Sequence, residues 1–242
     1  METANSKLSK NAVRQQVWDA LQQACAAATD VHGRIPAFVG AQKAAARLAE
    51  LPAWRAAQII KAVPDRAQAP VRSLALTERK LVYMAVPKLA SAQPFRLLDH
   101  TLLTVTPEKA AIHQKAMQVG RPVTMAQMRP VDLIICGSVA VNHNGVRLGK
   151  GAGYTDLEVA LLTEAGLIGP HTSIVTTVHR LQVLDQPLPE TEHDFRVDFI
   201  VTPGTIITCG SPRRPTGLLW DRLDPATIDA IPILAAMRRA LR

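Results

Sequence analysis

The sequence predicts an α/β protein whose parallel or mixed sheet is covered by helices on both faces. Short apolar runs over residues 80–86, 131–136, 173–178 and 197–201 are typical of buried strands. Helical stretches separate these runs, and such alternation indicates strands joined by crossover helices. A length of 242 residues fits one large α/β domain or two small ones.

The N-terminal part, residues 1–70, is predicted to be helical throughout and to form a cap on the sheet. Residues 7–28 contain neither Gly nor Pro. They carry an apolar stripe at helical spacing, Val13, Val17 and Leu21, with Trp18 and Ala24 beside it. Two shorter helices are predicted over 41–51 and 53–61, the second opened by Pro52.

The same periodicity predicts the remaining elements. Helices are expected over 71–78, 108–119, 154–165 and 228–241, and a further strand over 99–105. The chain is therefore interpreted as one domain over 1–242. It comprises a helical N-terminal part over 1–70, a sheet core over 71–210 and a C-terminal extension over 211–242.

Composition and charge disfavour several classes of protein. The three cysteines, Cys25, Cys136 and Cys209, form no disulfide or metal-binding spacing, which favours a reduced, cytoplasmic setting. No apolar run approaches the roughly 18 residues of a membrane span, and residues 1–10 lack the apolar core of a signal peptide. The net charge of +8 suits anionic partners, but only 4% of residues are aromatic, which disfavours nucleic-acid binding.

A glycine-rich loop is the most informative segment of the sequence. Residues 147–156 read RLGKGAGYTD. Glycines occupy alternate positions: Gly149, Gly151 and Gly153. They permit positive φ and let backbone N–H groups turn toward an anion. A helix N-terminus near Thr155 adds unpaired N–H groups, and Arg147 and Lys150 add full charges, so the loop predicts phosphate binding.

Two well-known phosphate-binding signatures do not match this loop. Lys150 is followed by Gly rather than Ser or Thr, as a Walker A loop requires, and Tyr154 stands where the dinucleotide fingerprint has its third glycine. A plain turn is the alternative interpretation, with Thr155 as N-cap and Glu158 completing a capping box.

Acidic residues occur beside this loop and again near the end of the sheet core. Asp156 would repel a bound phosphate unless a cation such as Mg²⁺ lay between them, although the helix dipole alone also favours a carboxylate there. Residues 193–198 read HDFRVD, and strand alternation places Asp194, Arg196 and Asp198 on one face. A solvated sheet edge is the alternative interpretation of that segment.

Other reactive side chains are interpreted as structural. The histidines at positions 143, 171 and 179 lack metal-ligand spacing. Cys136 lies in a predicted buried strand, where a core thiol is expected rather than a nucleophile.

Three separated motifs resemble those of the 5-formyltetrahydrofolate cyclo-ligases, also called methenyltetrahydrofolate synthetases. RLGKGAGYTDLE is similar to the family signature Arg-x-Gly-x-Gly-x-Gly-Tyr-Tyr-Asp. Lys10 and Arg14 match a Lys and an Arg four residues apart in the family's N-terminal helix, and residues 193–198 match a late His/Asn-Asp-x-x-Val-Asp element. Longer stretches resemble a paralogous, cyclo-ligase-like subgroup, so the likeness covers nearly the whole chain.

The resemblance implies a Rossmann-like, three-layer α/β/α sandwich of the sugar-phosphate isomerase and CoA-transferase type. It implies Mg²⁺ held by Asp156 and Asp194, and Arg147 and Lys150 as catalytic groups that neutralise a transferring phosphoryl group. It also implies ATP binding by a set of basic and loop residues: Lys10, Arg14, Arg147, Gly149, Lys150, Gly151, Ala152, Gly153, Tyr154 and Thr155.

The activity implied is ATP-dependent conversion of 5-formyltetrahydrofolate to 5,10-methenyltetrahydrofolate with release of ADP and phosphate. Three departures point to an altered folate half of the site. Thr155 replaces a tyrosine and cannot stack on a pterin, Leu157 replaces an arginine, and residues 68–76 offer no carboxylate where the family has a folate-contacting glutamate. The substrate is therefore interpreted as 5-formyltetrahydrofolate or a related N-formyl or amide heterocycle.

Three alternatives accompany this interpretation. One is an altered paralogue that acts in another pathway, such as thiamine metabolism, and another is a regulatory protein that binds nucleotide without turnover. The third is an RNA-associated protein, motivated by the positive charge and by relatives of the resembled family that are fused to RNA-recognition modules.

Overall fold

The computed structural model describes residues 9–27, 30–210 and 213–240. Its helices are α1 Lys10–Gln23, α2 Ala41–Leu48, α3 Pro52–Ala56, α4 Ala69–Thr77, α5 Pro107–Ala110, α6 His113–Val119, α7 Tyr154–Glu164, α8 Pro225–Ala230 and α9 Pro232–Ala240. Its strands are β1 Ile59–Ala62, β2 Leu81–Ala85, β3 Phe95–Leu98, β4 Arg121–Val123, β5 Leu133–Cys136, β6 Ala140–Asn142, β7 Arg147–Leu148, β8 Ser173–Thr177, β9 Val183–Leu184, β10 Phe199–Val201 and β11 Ile206–Thr208.

One large sheet forms the centre of the molecule, with strand order β11-β10-β8-β5-β1-β2-β3-β4. The strands β10, β8, β5, β1 and β2 run parallel, whereas β3, β4 and β11 pair antiparallel at the two sides. Every residue of β1 and β5 is buried, as expected for strands covered on both faces. The mixed sheet predicted from the alternation of apolar runs and helices is confirmed.

Helices cover both faces of this sheet and make three layers. On one face, Ile60 and Leu133 pack with the apolar sides of α2 to α6, including Trp54 and Leu76. On the other face, the strands pack with α7, α8 and α9 in a second apolar cluster that includes Val159. The predicted three-layer α/β/α architecture is therefore confirmed.

A small second sheet, of order β7-β6-β9, carries the glycine-rich loop and packs against α1. The predicted apolar stripe of α1 is confirmed, because Val13, Val17 and Leu21 are fully buried against this sheet, together with Trp18. Helix α1 therefore lies directly beside the loop. The N-terminal end of the helix predicted over 7–28 lies partly outside the described residues.

The helix predicted over 53–61 is wrong in its second half. Helix α3 ends at Ala56, and Ile59–Ala62 form β1, which pairs with β5 on one side and β2 on the other. Residues 1–70 are therefore not all helical, because they supply a central strand. Lys61 made this run look like part of a solvent-exposed helix, whereas its side chain is fully buried. The single domain over 1–242 stays a prediction.

Several other boundaries differ from the predictions, beginning with α1, which ends at Gln23 rather than at residue 28. The strand predicted over 99–105 is wrong, since β3 is Phe95–Leu98 and turns follow it. The helix predicted over 108–119 is divided into α5 and α6. The helix predicted over 228–241 is divided into α8 and α9 at Pro232, whose ring is incompatible with a helix interior. None of the described helices is long and apolar enough to cross a membrane.

The strand order fixes where a ligand can bind. The chain passes from β1 to β2 on one side and later adds β5, β8 and β10 on the other side. Such a reversal creates a crevice at the carboxyl ends of the strands, the usual ligand position in open α/β sheets. The residues that follow β1 and β2 line a cavity together with the glycine-rich loop.

Candidate functional site

The glycine-rich loop connects β7 to α7. Gly151 and Gly153 adopt φ of +112° and +70°, which a residue with a Cβ adopts only with strain. Gly153 is the N-cap of α7, and no side chain caps this helix end. The first-turn N–H groups therefore have no capping side chain and are available to an anion.

The plain-turn interpretation of this loop is wrong in its details. Helix α7 begins at Tyr154, so Thr155 lies inside the helix rather than at its N-cap. Glu158 does not complete a capping box, because its carboxylate forms a buried ion pair with Lys61 of β1. The expected helix start near Thr155 is confirmed within one residue.

Arg147 is buried under the loop and fixes the first carboxylate of the site. Its Nη1 donates to Oδ1 of Asp156 at 2.9 Å, and its guanidinium lies 4.6 Å from the ring centroid of Phe195. Burial opposes the charge of Arg147, but Asp156 and Asp194 outweigh it and hold the pKa of the guanidinium above its ordinary value. The positive charge at this position is therefore permanent.

Helix α1 places Arg14 at the loop and Lys10 at Asp194. Nε of Arg14 donates to the carbonyl oxygen of Gly149 at 2.7 Å, and Nζ of Lys10 lies 2.5 Å from Oδ2 of Asp194. Burial lowers the pKa of Arg14, and the positive charge of nearby Arg147 lowers it as well. The carboxylates of Asp194 and Asp156 oppose this shift, and the net pKa of Arg14 lies below its ordinary value. Two arginines and two aspartates therefore act on one another within a single cluster.

Asp194 is held ionised at the edge of this cluster. Besides Lys10, the backbone N–H and the hydroxyl of Thr191 donate to its Oδ2, at 2.5 Å and 3.0 Å. Burial by itself would raise the pKa of Asp194. The hydrogen bonds and the charge of Lys10 lower this pKa by more than burial raises it, so the net shift is downward. An aspartate in this state is an acceptor for cations or hydrogen-bond donors.

The alternation predicted for residues 193–198 is confirmed, although the segment precedes β10 rather than forming a strand. Phe195 and Val197 are fully buried, and the intervening polar residues are partly exposed. Asp198 does not join Asp194 at the loop, because it pairs with Arg214 and accepts a hydrogen bond from the backbone of Ile174.

Two cavities lie on either side of the glycine-rich loop and share its residues 152–154 and Asp156 as a common wall. Cavity A, of about 520 Å³, extends over the carboxyl ends of β1 and β2 and is lined also by Asp65, His113 and Lys150. Cavity B, of about 370 Å³, is lined also by Lys10 and Asp194 and by the segment before α8.

The predicted site residues therefore divide between the cavities. Lys10, Asp156 and Asp194 all line cavity B. Lys150 lines cavity A, where its Nζ is 3.5 Å from Oδ1 of Asp65, and Thr155 lines the same cavity. The assignment of these residues to nucleotide, metal and catalysis stays a prediction.

The carboxylates of cavity B fit a magnesium ion that is shared with a substrate. Oδ2 of Asp156 and Oδ1 of Asp194 have no hydrogen-bond partner among the described residues, whereas the other oxygens are taken by Arg147 and Lys10. Within residues 9–27, 30–210 and 213–240, no group of three or more His, Cys, Asp or Glu side chains can hold a metal. Mg²⁺ commonly uses one or two carboxylates together with substrate phosphates, so this donor set suits it only with a phosphate ligand.

Sequence reasoning missed several residues of cavity A. Asp65 and His113 line the cavity, and Lys61 pairs with Glu158 of its wall; these residues come from segments that are far apart in the chain. The sequence feature that could have indicated a buried Lys61 is its position as a basic residue within an apolar run. No local sequence pattern indicated a role for His113.

Arg72 lies in the segment 68–76, where the family has its folate-contacting glutamate, and it is fully buried and does not line cavity A. It donates hydrogen bonds to carbonyl groups of Val63, Pro64, Asp65 and Ala111. Burial lowers its pKa to about 10. Arg72 therefore holds backbone around the cavity and does not replace a ligand-binding carboxylate.

Comparisons with known proteins show the family of this chain. Residues 6–203 match the model of the 5-formyltetrahydrofolate cyclo-ligase family. The chain is 37% identical to the mouse methenyltetrahydrofolate synthase domain-containing protein, over 98% of this chain and 65% of the mouse protein. It is 34% identical to the human protein of the same name, over 98% of this chain and 63% of the human protein. The chain thus spans less than two thirds of the length of these relatives.

A solved structure supports the fold. The NMR structure of Aquifex aeolicus 5,10-methenyltetrahydrofolate synthetase superposes with a TM-score of 0.55 at 21% identity, covering 85% of this chain and 95% of the other. At this identity the likeness concerns the fold alone. The match of the family model and of the relatives confirms the resemblance seen in the motifs, and the chain belongs to the 5-formyltetrahydrofolate cyclo-ligase family.

Proposed function

We propose that this protein is an ATP- and Mg²⁺-dependent cyclo-ligase. Its substrate is 5-formyltetrahydrofolate, converted to 5,10-methenyltetrahydrofolate, or a related N-formyl or amide heterocycle. The observation that carries the proposal is the glycine-rich loop between two cavities, with Arg147 and Asp156 paired beneath it. One cavity offers carboxylates and cations for a nucleotide, and the other offers space for an organic substrate.

Cavity B is assigned to the nucleotide phosphates. Lys10 supplies positive charge there, and Arg14 adds charge from beside the loop at Gly149. The loop N–H groups supply hydrogen-bond donors, and Asp156 and Asp194 would hold Mg²⁺ through their free oxygens. Cavity A is assigned to the heterocycle, since its volume of about 520 Å³ lies in the usual range for small-molecule sites. The shared wall brings the two ligands together at the loop.

The residues of the loop would act mainly by positioning and charge neutralisation. Bound ATP with Mg²⁺ supplies the phosphoryl group that turns the formyl oxygen into a leaving group. Arg147 keeps Asp156 oriented, and Lys150 lines cavity A beside the shared wall, where it can neutralise charge on the transferring group. No covalent nucleophile is required.

A coupled assay tests this proposal. The protein is mixed with Mg-ATP and 5-formyltetrahydrofolate, the methenyl product is followed by absorbance and ADP is measured separately. Lys150→Ala and Asp156→Asn should each lower turnover about 10²–10³-fold. The matched controls Lys109→Ala and Asp185→Asn, which lie outside both cavities, should keep it. Full activity in both loop variants would refute the assignment.

A second candidate function is nucleotide binding without turnover, as in a regulatory protein or a paralogue that acts in another pathway. Two observations favour it: Thr155 lines cavity A where the family signature has a ring, and Arg72 is committed to backbone carbonyls. Calorimetry discriminates the two functions. Tight Mg-ATP binding with no ADP formed over a panel of formylated heterocycles supports the second candidate.

A cytoplasmic location belongs to the proposal. Cys25, Cys136 and Cys209 are free thiols, as expected in a reducing compartment. Thiol titration of the protein purified from cells without reductant should give three reactive groups after unfolding, and fewer would argue against a reducing location.

A further inference from the structure

An unusual histidine lies in the wall of cavity A. Neither ring nitrogen of His113 has a hydrogen-bond partner among the described residues, and its Nε2 is buried. By contrast, His32 and His143 are bound to aspartates, and His179 accepts a hydrogen bond from the backbone of Leu181. A buried polar atom without a partner is uncommon and calls for an explanation such as a missing ligand.

Charged groups from three parts of the chain act electrostatically on this imidazole. Asp65 follows β1, Arg72 belongs to α4, and Lys150 belongs to the glycine-rich loop. Burial lowers the pKa of His113, Arg72 and Lys150 lower it further, and Asp65 opposes them, so the net pKa lies below 6.5. The ring is therefore neutral at pH 7, and one of its nitrogens can accept a proton.

The position of His113 is fixed by a buried side chain rather than by its own contacts. Arg72 donates two hydrogen bonds, of 3.0 Å and 2.7 Å, to the carbonyl oxygen of Ala111, where α5 ends and the chain turns into α6. The same guanidinium donates to the carbonyl oxygens of Val63 and Asp65. One rigid fork thus holds the start of α6 and the segment after β1 at a set separation.

The other candidate bases of cavity A are already engaged. Asp65 lies within 3.5 Å of the Lys150 ammonium group, Glu158 is paired with Lys61, and Asp156 is paired with Arg147. Asp30, at the rim, is bound to His32. Among the carboxylates and imidazoles of the described residues that line this cavity, His113 is the one without a hydrogen-bond or ion-pair partner.

We propose that His113 contacts the heterocycle in cavity A and accepts the proton that the attacking nitrogen loses during ring closure. This inference rests on the proposed function, with ATP as the co-reactant that has phosphorylated the formyl oxygen. The attacking nitrogen forms a bond to the formyl carbon, its N–H bond breaks, and the proton passes to the neutral imidazole. The carbon–oxygen bond to the phosphoryl group then breaks, and phosphate leaves with the electron pair. Lys150, beside His113, neutralises charge on that leaving group.

The first test uses the wild-type protein and does not depend on turnover. Diethyl pyrocarbonate modifies neutral imidazoles, and mass spectrometry locates each modified histidine. His113 should react with a midpoint below pH 6.5, and saturating 5-formyltetrahydrofolate without nucleotide should slow its modification at least tenfold. His143, which lies outside cavity A beside Asp185, should react at the same rate with and without the ligand.

The second test uses turnover and nucleotide binding together. His113→Asn should lower kcat about 10²–10⁴-fold, the usual contribution of a general base, while the Kd of Mg-ATP in cavity B stays unchanged. The low-pH limb of the kcat profile should disappear in this variant, and added imidazole should restore part of the activity of His113→Gly. His143→Asn is the matched control and should behave as wild type.

The outcomes separate the inference from the proposed function. If 5-formyltetrahydrofolate binds by calorimetry but does not protect His113, or if His113→Asn keeps wild-type kcat and pH profile, the inference is overturned and the proposed function stands. If 5-formyltetrahydrofolate neither binds nor supports ADP formation, the proposed function fails and the inference fails with it. Thermal unfolding of His113→Asn at the wild-type temperature shows that a loss of turnover does not come from misfolding.

Discussion

The ion pair between Lys61 and Glu158 predicts a strong and specific stability effect. Lys61 lies in the central strand β1 with a fully buried side chain, and Glu158 of α7 is only 5% exposed. The pair therefore crosses from the sheet to the helix layer that begins at the glycine-rich loop. Removing one partner leaves the other charge buried without compensation.

The expected magnitude follows from this burial. Glu158→Gln should lower the free energy of unfolding by about 3–5 kcal/mol, the usual loss when one member of a buried pair is removed. For a chain of 242 residues this corresponds to a fall in melting temperature of roughly 6–20 °C. The double variant Lys61→Met with Glu158→Met should regain most of the loss, because it buries no charge.

Urea unfolding followed by circular dichroism measures the effect, with an unchanged m value as the sign that the unfolded state is comparable. Glu50→Gln is the matched control, because Glu50 forms an exposed pair with Arg47 at 3.5 Å and should change stability by less than about 0.5 kcal/mol. A loss below about 1 kcal/mol in Glu158→Gln, or a double variant as unstable as the single one, would refute the reasoning.

Three further predictions concern the loop and its surroundings. Because the pKa of Asp194 is lowered, its interactions stabilise the protein above about pH 4 and are lost as the pH falls through the lowered pKa. The melting temperature of Asp194→Asn should therefore drop less between pH 5 and pH 3 than that of wild type. Gly153→Ala meets no atom within 4 Å but forces Ala into φ of +70°, so it should cost about 1–2 kcal/mol in urea unfolding and weaken Mg-ATP binding by calorimetry. Arg72→Met leaves buried carbonyls without donors and should lower the unfolding free energy by several kcal/mol; a change below about 1 kcal/mol would contradict its bracing role.

Local patterns in the sequence predicted much of this molecule correctly. The apolar runs became β2, β5, β8 and β10, and the stripe on the first helix became its buried face. Alternating glycines predicted a loop with positive φ at the start of α7. These features depend on neighbouring residues, through backbone freedom, side-chain periodicity and helix ends, so a single sequence carries them.

The candidate site depends only in part on such neighbouring residues. Lys10, Arg14, Asp156 and Asp194 were expected together because three motifs resembled one family, and the structure places them around one loop. Their proximity spans up to 184 residues of chain, and no periodicity within one segment could have indicated it. The structure adds that Lys150 faces a different cavity from Lys10.

Tertiary packing alone decided the rest. Ile59–Ala62 became the central strand although the preceding segment favours helix, because burial on both faces of the sheet outweighs local propensity. Lys61 meets Glu158 across 97 residues, and Arg72 meets Ala111 across 39, which sets His113 beside Asp65 and Lys150. The sequence by itself determined the family, the loop and its charges, whereas the surroundings of cavity A depend on long-range contacts that form only when the sheet and its helices pack together.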